Sequence, residues 1–108
     1  MVNSHLELDR SFGALAHPVR RGIVERLARG PATVAEATGG LGVSKPAISK
    51  HLKVLEEAGV VDRVIEGRTH RIALRGDALR DAGAWLERHR TLWERKLDVV
   101  EAYLKEQS

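Results

Sequence analysis

At 108 residues the chain has room for one small domain and not for two. It has no cysteine, so disulfides, thiolate metal sites and a cysteine nucleophile are excluded. The net charge of +3 leans toward an anionic partner, and no apolar run is long enough for a membrane span or a signal-peptide core, so a cytoplasmic protein with no membrane partner is expected.

Residues 1–7 read as a flexible N-terminal arm ahead of a single domain over 8–108. Leu8, Phe12 and Leu15 recur at spacings of four and three, which predicts a first helix over 8–16. In "HPVR", Pro18 suits the first turn of a second helix, whose apolar stripe is Val19, Ile23, Val24 and Leu27 and which Gly30-Pro31 stops. A short helix over 33–38 begins on a capping-box pattern, Thr33 with Glu36 three residues on. After the turn "GGLGV", Ser44 caps a helix that runs to Ala58 and ends at Gly59. The period then shortens. "VVDRVIEGRTHRIAL" is rich in β-branched residues and is split by Glu66-Gly67-Arg68, which predicts strands over 60–65 and 69–74. A long amphipathic helix over 77–105 closes the pattern. The expected fold is mainly α with a small β-hairpin: about five helices in a winged helix-turn-helix, the last of them long.

The helix over 44–58 has two unlike faces. Ile48, Leu52 and Leu55 point inward. Lys45, Ser49 and Lys53 form an outer row beside Pro46 and Lys50, at the end that carries the positive pole of the helix dipole. Phosphate oxygens and base edges in a major groove suit such donors. A solvated amphipathic face would look the same in isolation, but here a tight turn precedes the helix and a basic hairpin follows. The hairpin carries Arg63, Arg68, Thr69, His70, Arg71 and Arg75, with Arg68 at its tip, where an arginine can follow the backbone or enter a minor groove. Charge also keeps edge strands from aggregating, the plainer account of that hairpin. Between Ser44 and Arg75 there are seven Lys or Arg (45, 50, 53, 63, 68, 71, 75) against four acids (56, 57, 62, 66), a balance equal to the net charge of the whole chain.

"LAHPVRRGIVERL", "VSKPAISKHLKVLEEAGVV" and "EGRTHRI", in that order and at these distances, resemble the ArsR-type (ArsR/SmtB) winged-helix transcriptional repressors. The resemblance covers about residues 8–105. It implies a cytoplasmic, bacterial-type, nucleoid-associated regulator: a homodimer on double-stranded DNA that occludes a palindromic promoter site, with 44–57 in the major groove and 63–71 as the wing. Carried over by position, Lys45, Pro46, Ser49, Lys50 and His51 fall on the reading helix, and Arg63, Arg68, Thr69 and His70 on the wing; Ser44 and Lys53, on the same helix, complete the candidate DNA-binding set. For His51 the residues leave two roles open, a local hydrogen bond or an approach to DNA that protonation would strengthen.

The last helix carries an apolar stripe: Ala82, Trp85, Leu86, His89, Leu92, Trp93, Leu97, Val100, Tyr103 and Leu104. It exceeds what a small winged helix needs for itself, and tryptophan and tyrosine are anchor types at interfaces. With Leu8, Phe12 and Leu15 it forms the expected dimer seam. Many ArsR relatives release DNA when metal binds cysteines, or His and carboxylates on the last helix. The first donor set is absent here. The second is thin: Asp81, His89, Glu94, Asp98 and Glu101, with His5 from the arm, so that a Ni or Zn effector would have to use His89, Glu94, Asp98 and His5 across two chains. No nucleophile elbow, phosphate loop or paired-carboxylate cleft is present, and an enzyme is not expected. The alternative is a helical protein-interaction module that keeps the winged helix as a scaffold without sequence-specific DNA binding. The basic face over 45–53 is what that role would not need.

Overall fold

A computed structural model describes residues 4–107, with side chains from Leu6 onward. The order is α1 (Ser4–Leu15), α2 (Pro18–Leu27), β1 (Ala32–Thr33), α3 (Val34–Thr38), α4 (Lys45–Glu57), β2 (Val61–Glu66), β3 (Thr69–Leu74) and α5 (Gly76–Gln107). The expected winged helix-turn-helix is therefore present, mainly helical with five helices among the described residues.

Helix α1 begins at Ser4, where the sequence suggested an arm as far as residue 7. Glu7 lies in its first turn and complements the positive end of the helix dipole, which favours helix there. Residues 1–3 of that expected arm lie outside the described residues. The C-terminal carbonyls of α1 are capped from α2. Arg20 donates to the Ala14 and Gly13 carbonyls at 2.7 and 3.2 Å, and Arg21 to Leu15 at 3.0 Å.

The core sits where α2, α3, α4 and the sheet meet. Ile23, Leu52, Leu55, Val60, Val61 and Ile72 are its largest fully buried side chains. Each contributes about 1.5–3 kcal/mol of burial. Strand β1 was not anticipated. It is only two residues long, too short to show a period, and it pairs antiparallel with β3 (Ala32↔Ile72, Thr33↔Arg71), giving the sheet order β1-β3-β2. Thr33 also caps α3: its hydroxyl accepts from the Glu36 amide at 3.1 Å, and the Glu36 carboxylate accepts from the Thr33 amide at 3.0 Å. The backbone hydrogen bond, then the hydroxyl, hold the Glu36 pKa below the usual carboxylate range. One residue thus fixes the first helix of the helix-turn-helix to the sheet that forms the wing.

Helix α4 has a defined start and stop. The Ser44 hydroxyl accepts from the Ala47 amide at 3.3 Å, and Pro46 occupies the first turn, where no amide hydrogen is missed. At the other end Gly59 takes φ +73°, with Val60 N–H bonded to Leu55 O and Gly59 N–H to Glu56 O, both at 3.0 Å. This is a Schellman motif, sealed by Val60 against Leu55, both fully buried. It turns the chain directly into the hairpin.

Candidate nucleic-acid interface

On α4, Ile48, Leu52 and Leu55 are buried, while Lys45, Pro46, Ser49, Lys50 and Lys53 are all exposed on the opposite side. Lys53 lies 4.0 Å from Glu57, an exposed i,i+4 pair of little energetic weight. Ser44 stands at the same end, its oxygen accepting the capping bond while its hydroxyl hydrogen can still donate outward.

The hairpin register sorts the wing residues into two faces. Val61 pairs with Leu74, Arg63 with Ile72 and Ile65 with His70. Val61 and Ile72 are buried, so Arg63 and His70 share the inward face. Arg63 Nη1 donates to His70 Nδ1 at 3.0 Å, and Nη2 to the Glu56 carboxylate on α4. The side chains expected on the DNA side are therefore turned toward the protein. Arg68 and Thr69 remain exposed at the tip, where Gly67 takes φ +63° as the first residue of a two-residue turn, the II′ pattern. Arg71, counted in the hairpin's charge but not singled out for the reading surface, is exposed on the outward face. Strict alternation from buried Ile72 would have placed it there.

Of the two roles left open for His51, the structure has the local one. His51 is half-buried, its Nδ1 accepts from Arg20 Nη1 at 3.1 Å, and its ring lies 4.3 Å from that of His17. Burial chiefly, then the charges of His17 and Arg20, push its pKa below the usual histidine value. The folded state thus favours neutral His51. Its contribution to stability is complete above the ordinary histidine range and is lost as pH falls through the lowered pKa. The melting temperature should fall as pH is lowered from about 7.5 to about 5. The decline should be shallower in His51→Asn, whose amide oxygen can accept from Arg20 but cannot ionise. Equal slopes for the two proteins would remove His51 as the source.

A family model described as a helix-turn-helix domain matches residues 15–64. The transcriptional repressor SdpR of Bacillus subtilis is 30% identical over 79 residues, covering 73% of this chain and 88% of the repressor. A crystal structure of an ArsR family transcriptional regulator, RHA00566, superposes with a TM-score of 0.77 at 36% identity, covering 83% of this chain and 93% of that one. The chain belongs to the ArsR family of winged helix-turn-helix transcriptional regulators. Another relative, the HTH-type transcriptional regulator Rv2034 of Mycobacterium tuberculosis, is 57% identical over 60 residues, 56% of each chain. That ArsR membership places the chain among regulators rather than enzymes. No described helix is long and apolar enough to cross a membrane.

In this ArsR chain, α1 and α5 pack together through aromatic rings. Phe12 meets Trp85 edge-on at 5.8 Å, and Trp85 stacks on His89 at 4.4 Å and meets Trp93 at 5.8 Å. Leu8 and Leu15 are half-buried beside them. Leu86 and Trp93 keep 45% of their surface exposed at that junction, and further along α5 Leu97, Val100 and Tyr103 are exposed, Leu97 at 65% and Tyr103 at 60%. The metal candidates do not converge within the chain. His89 Nδ1 donates to the Trp85 carbonyl at 2.8 Å, Glu94 is paired with Arg90 at 3.3 Å, and among the described residues no three His, Asp or Glu side chains form a group suited to a metal. The side chain of His5 lies outside the described residues. Within a single chain the donors on α5 are not brought together, and no step of the function below runs through a metal.

Proposed function

We propose that the chain is a dimeric repressor that binds double-stranded DNA at a palindromic promoter site and blocks transcription there. The observation that carries this reading is the outer face of α4. Lys45, Ser49, Lys50 and Lys53 stand exposed along the helix, and the wing that follows it in the chain presents an exposed Arg68 at its tip. Lysines and Arg68 supply phosphate contacts that fix the register; Ser49 and Lys50 reach base edges. Two copies joined through α1 and α5 present two reading helices, as a two-fold site requires.

The test is a fluorescence-anisotropy titration of labelled DNA from the gene's own promoter, with unrelated DNA as control. The expected result is tighter binding to the promoter, at two chains per site. Lys50→Ala and Ser49→Ala should change which base pairs are preferred, each by about 1–3 kcal/mol of discrimination. Equal binding to both DNAs by the parent protein would overturn the repressor reading and favour a helical interaction module.

A further inference from the structure

We propose that Arg63 is a positioning residue: it does not touch DNA but, bridging Glu56 and His70, fixes the angle of the wing relative to the reading helix. This rests on the DNA-binding reading above.

The wing has an anchored base and an unanchored outer half. At the base, Val61 and Ile72 are buried in the core. Further out, Ile65 belongs to the same inward face yet is 61% exposed, so no apolar contact seats that end on the body. A two-stranded ribbon held only at its base is free to bend and twist. Arg63 lies between these two zones, and its guanidinium ties three elements together: β2 to α4 through Glu56 and to β3 through His70. Glu56 follows Ser49 by seven residues, two turns along the same helical row. The bridge therefore sets the position of the wing against the row of α4 that carries the reading residues.

The environment of Arg63 fits a strut better than a phosphate clamp. Its side chain is only 25% exposed and that of Glu56 33%. Its Nε is shut off from solvent with no partner, while both terminal nitrogens are already bonded. A bidentate phosphate contact needs two neighbouring N–H groups on one edge of the guanidinium. The buried Nε takes one such edge out of use, and freeing the other would mean giving up the partially desolvated Glu56 carboxylate.

The two roles predict different salt behaviour. Each phosphate contact contributes about 0.9 to the slope of log K against log salt. Arg63→Ala should weaken promoter binding about tenfold at every salt concentration while leaving the slope at its parent value. A slope lower by about two, one unit per copy, would make Arg63 a phosphate contact and overturn the proposal. Arg63→Lys keeps the charge but loses the fork, so it should fall with the alanine variant; parental affinity in Arg63→Lys would overturn the proposal too. Glu56→Ala gives the opposite sign to plain electrostatics. Removing a carboxylate from a DNA-binding surface should tighten binding, whereas loss of the strut should loosen it about tenfold. Tighter binding by Glu56→Ala would count against the bridge. The double variant should bind no more weakly than either single one, because both break one unit. Melting curves confirm which variants are folded, and Arg63→Lys and Glu56→Ala carry the test if Arg63→Ala is not. A parent protein without promoter preference fails the DNA reading itself; a parent that binds with a slope-changing Arg63→Ala fails only this inference.

Discussion

Raising salt from about 50 to about 200 mM should weaken promoter binding by about ten-thousandfold. The figure follows from the cations that stand free in the fold. Lys45, Lys50 and Lys53 on α4 and Arg68 at the wing tip are all exposed, so two copies engaged as proposed bring about eight phosphate neutralisations. At about 0.9 per contact the slope of log K against log salt is about −7. The Lys53–Glu57 pair does not remove Lys53 from this set, because an exposed pair at 4.0 Å is easily exchanged for a phosphate. Arg63 is left out because it is bonded inward. Anisotropy titrations at four or five salt concentrations give the slope directly. A slope near −2 would mean that the outer face of α4 does not lie along the backbone, and the reading helix would have to be sought elsewhere.

The second large effect concerns α5. Trp93→Ala combined with Leu97→Asp should convert the protein from two-chain to one-chain form in sedimentation velocity, and lower promoter affinity by about 10²–10⁴-fold. Leu97 is largely exposed in the single chain, at 65%, and Trp93, at 45%, gives up only its edge contact with Trp85, so the domain itself should stay folded and melt slightly lower. The loss on DNA comes from untying two reading helices that otherwise bind as one unit. The apolar arc is wide. Trp93, Leu97, Val100 and Leu104 form one row and Leu92, Val99 and Tyr103 another beside it, all at least 45% exposed. An aspartate in that arc would lie against apolar side chains of the second copy without a partner, which is costly. If the double variant stayed paired, the seam would not run along α5.

Much of this was legible in the residues because local chemistry and the global fold agree at most positions. Ser44, Pro46 and Gly59 bracket α4 by their own conformational preferences, and the core row 48, 52, 55 has the helical period. Thr33 and Glu36 announce their capping box. What escaped has physical reasons. Strand β1 is two residues long and exists only because β3 offers an edge. The early start of α1 depends on a first turn with no apolar repeat to reveal it. The facing of the basic residues is more instructive. Arg63 and His70 were grouped with Arg68 by charge and proximity in sequence, yet the alternation from Val61 and Ile72 already assigned them to the opposite face from Arg71. His51 lies three and four residues from Ile48 and Leu55, on the flank of the buried row rather than the outer one. For Arg63 and His70 the strand alternation, and for His51 the helical period, point to the inward or flanking positions that the structure shows.

Helix α5 also has a bearing on how the molecule is made. The six largest fully buried side chains all lie between Ile23 and Ile72, ahead of α5 in the chain. A polypeptide leaving the ribosome N-terminus first can close this core while the aromatic rod is still being synthesised. Folding and assembly are thereby separated in time. The surface most prone to sticking reaches the solvent only when a finished domain is there to carry it, and in the proposed dimer its hazard would be limited to the interval before it meets a second copy. That interval would shorten as the chain becomes more abundant, so the concentration of the protein would set how much of it can act.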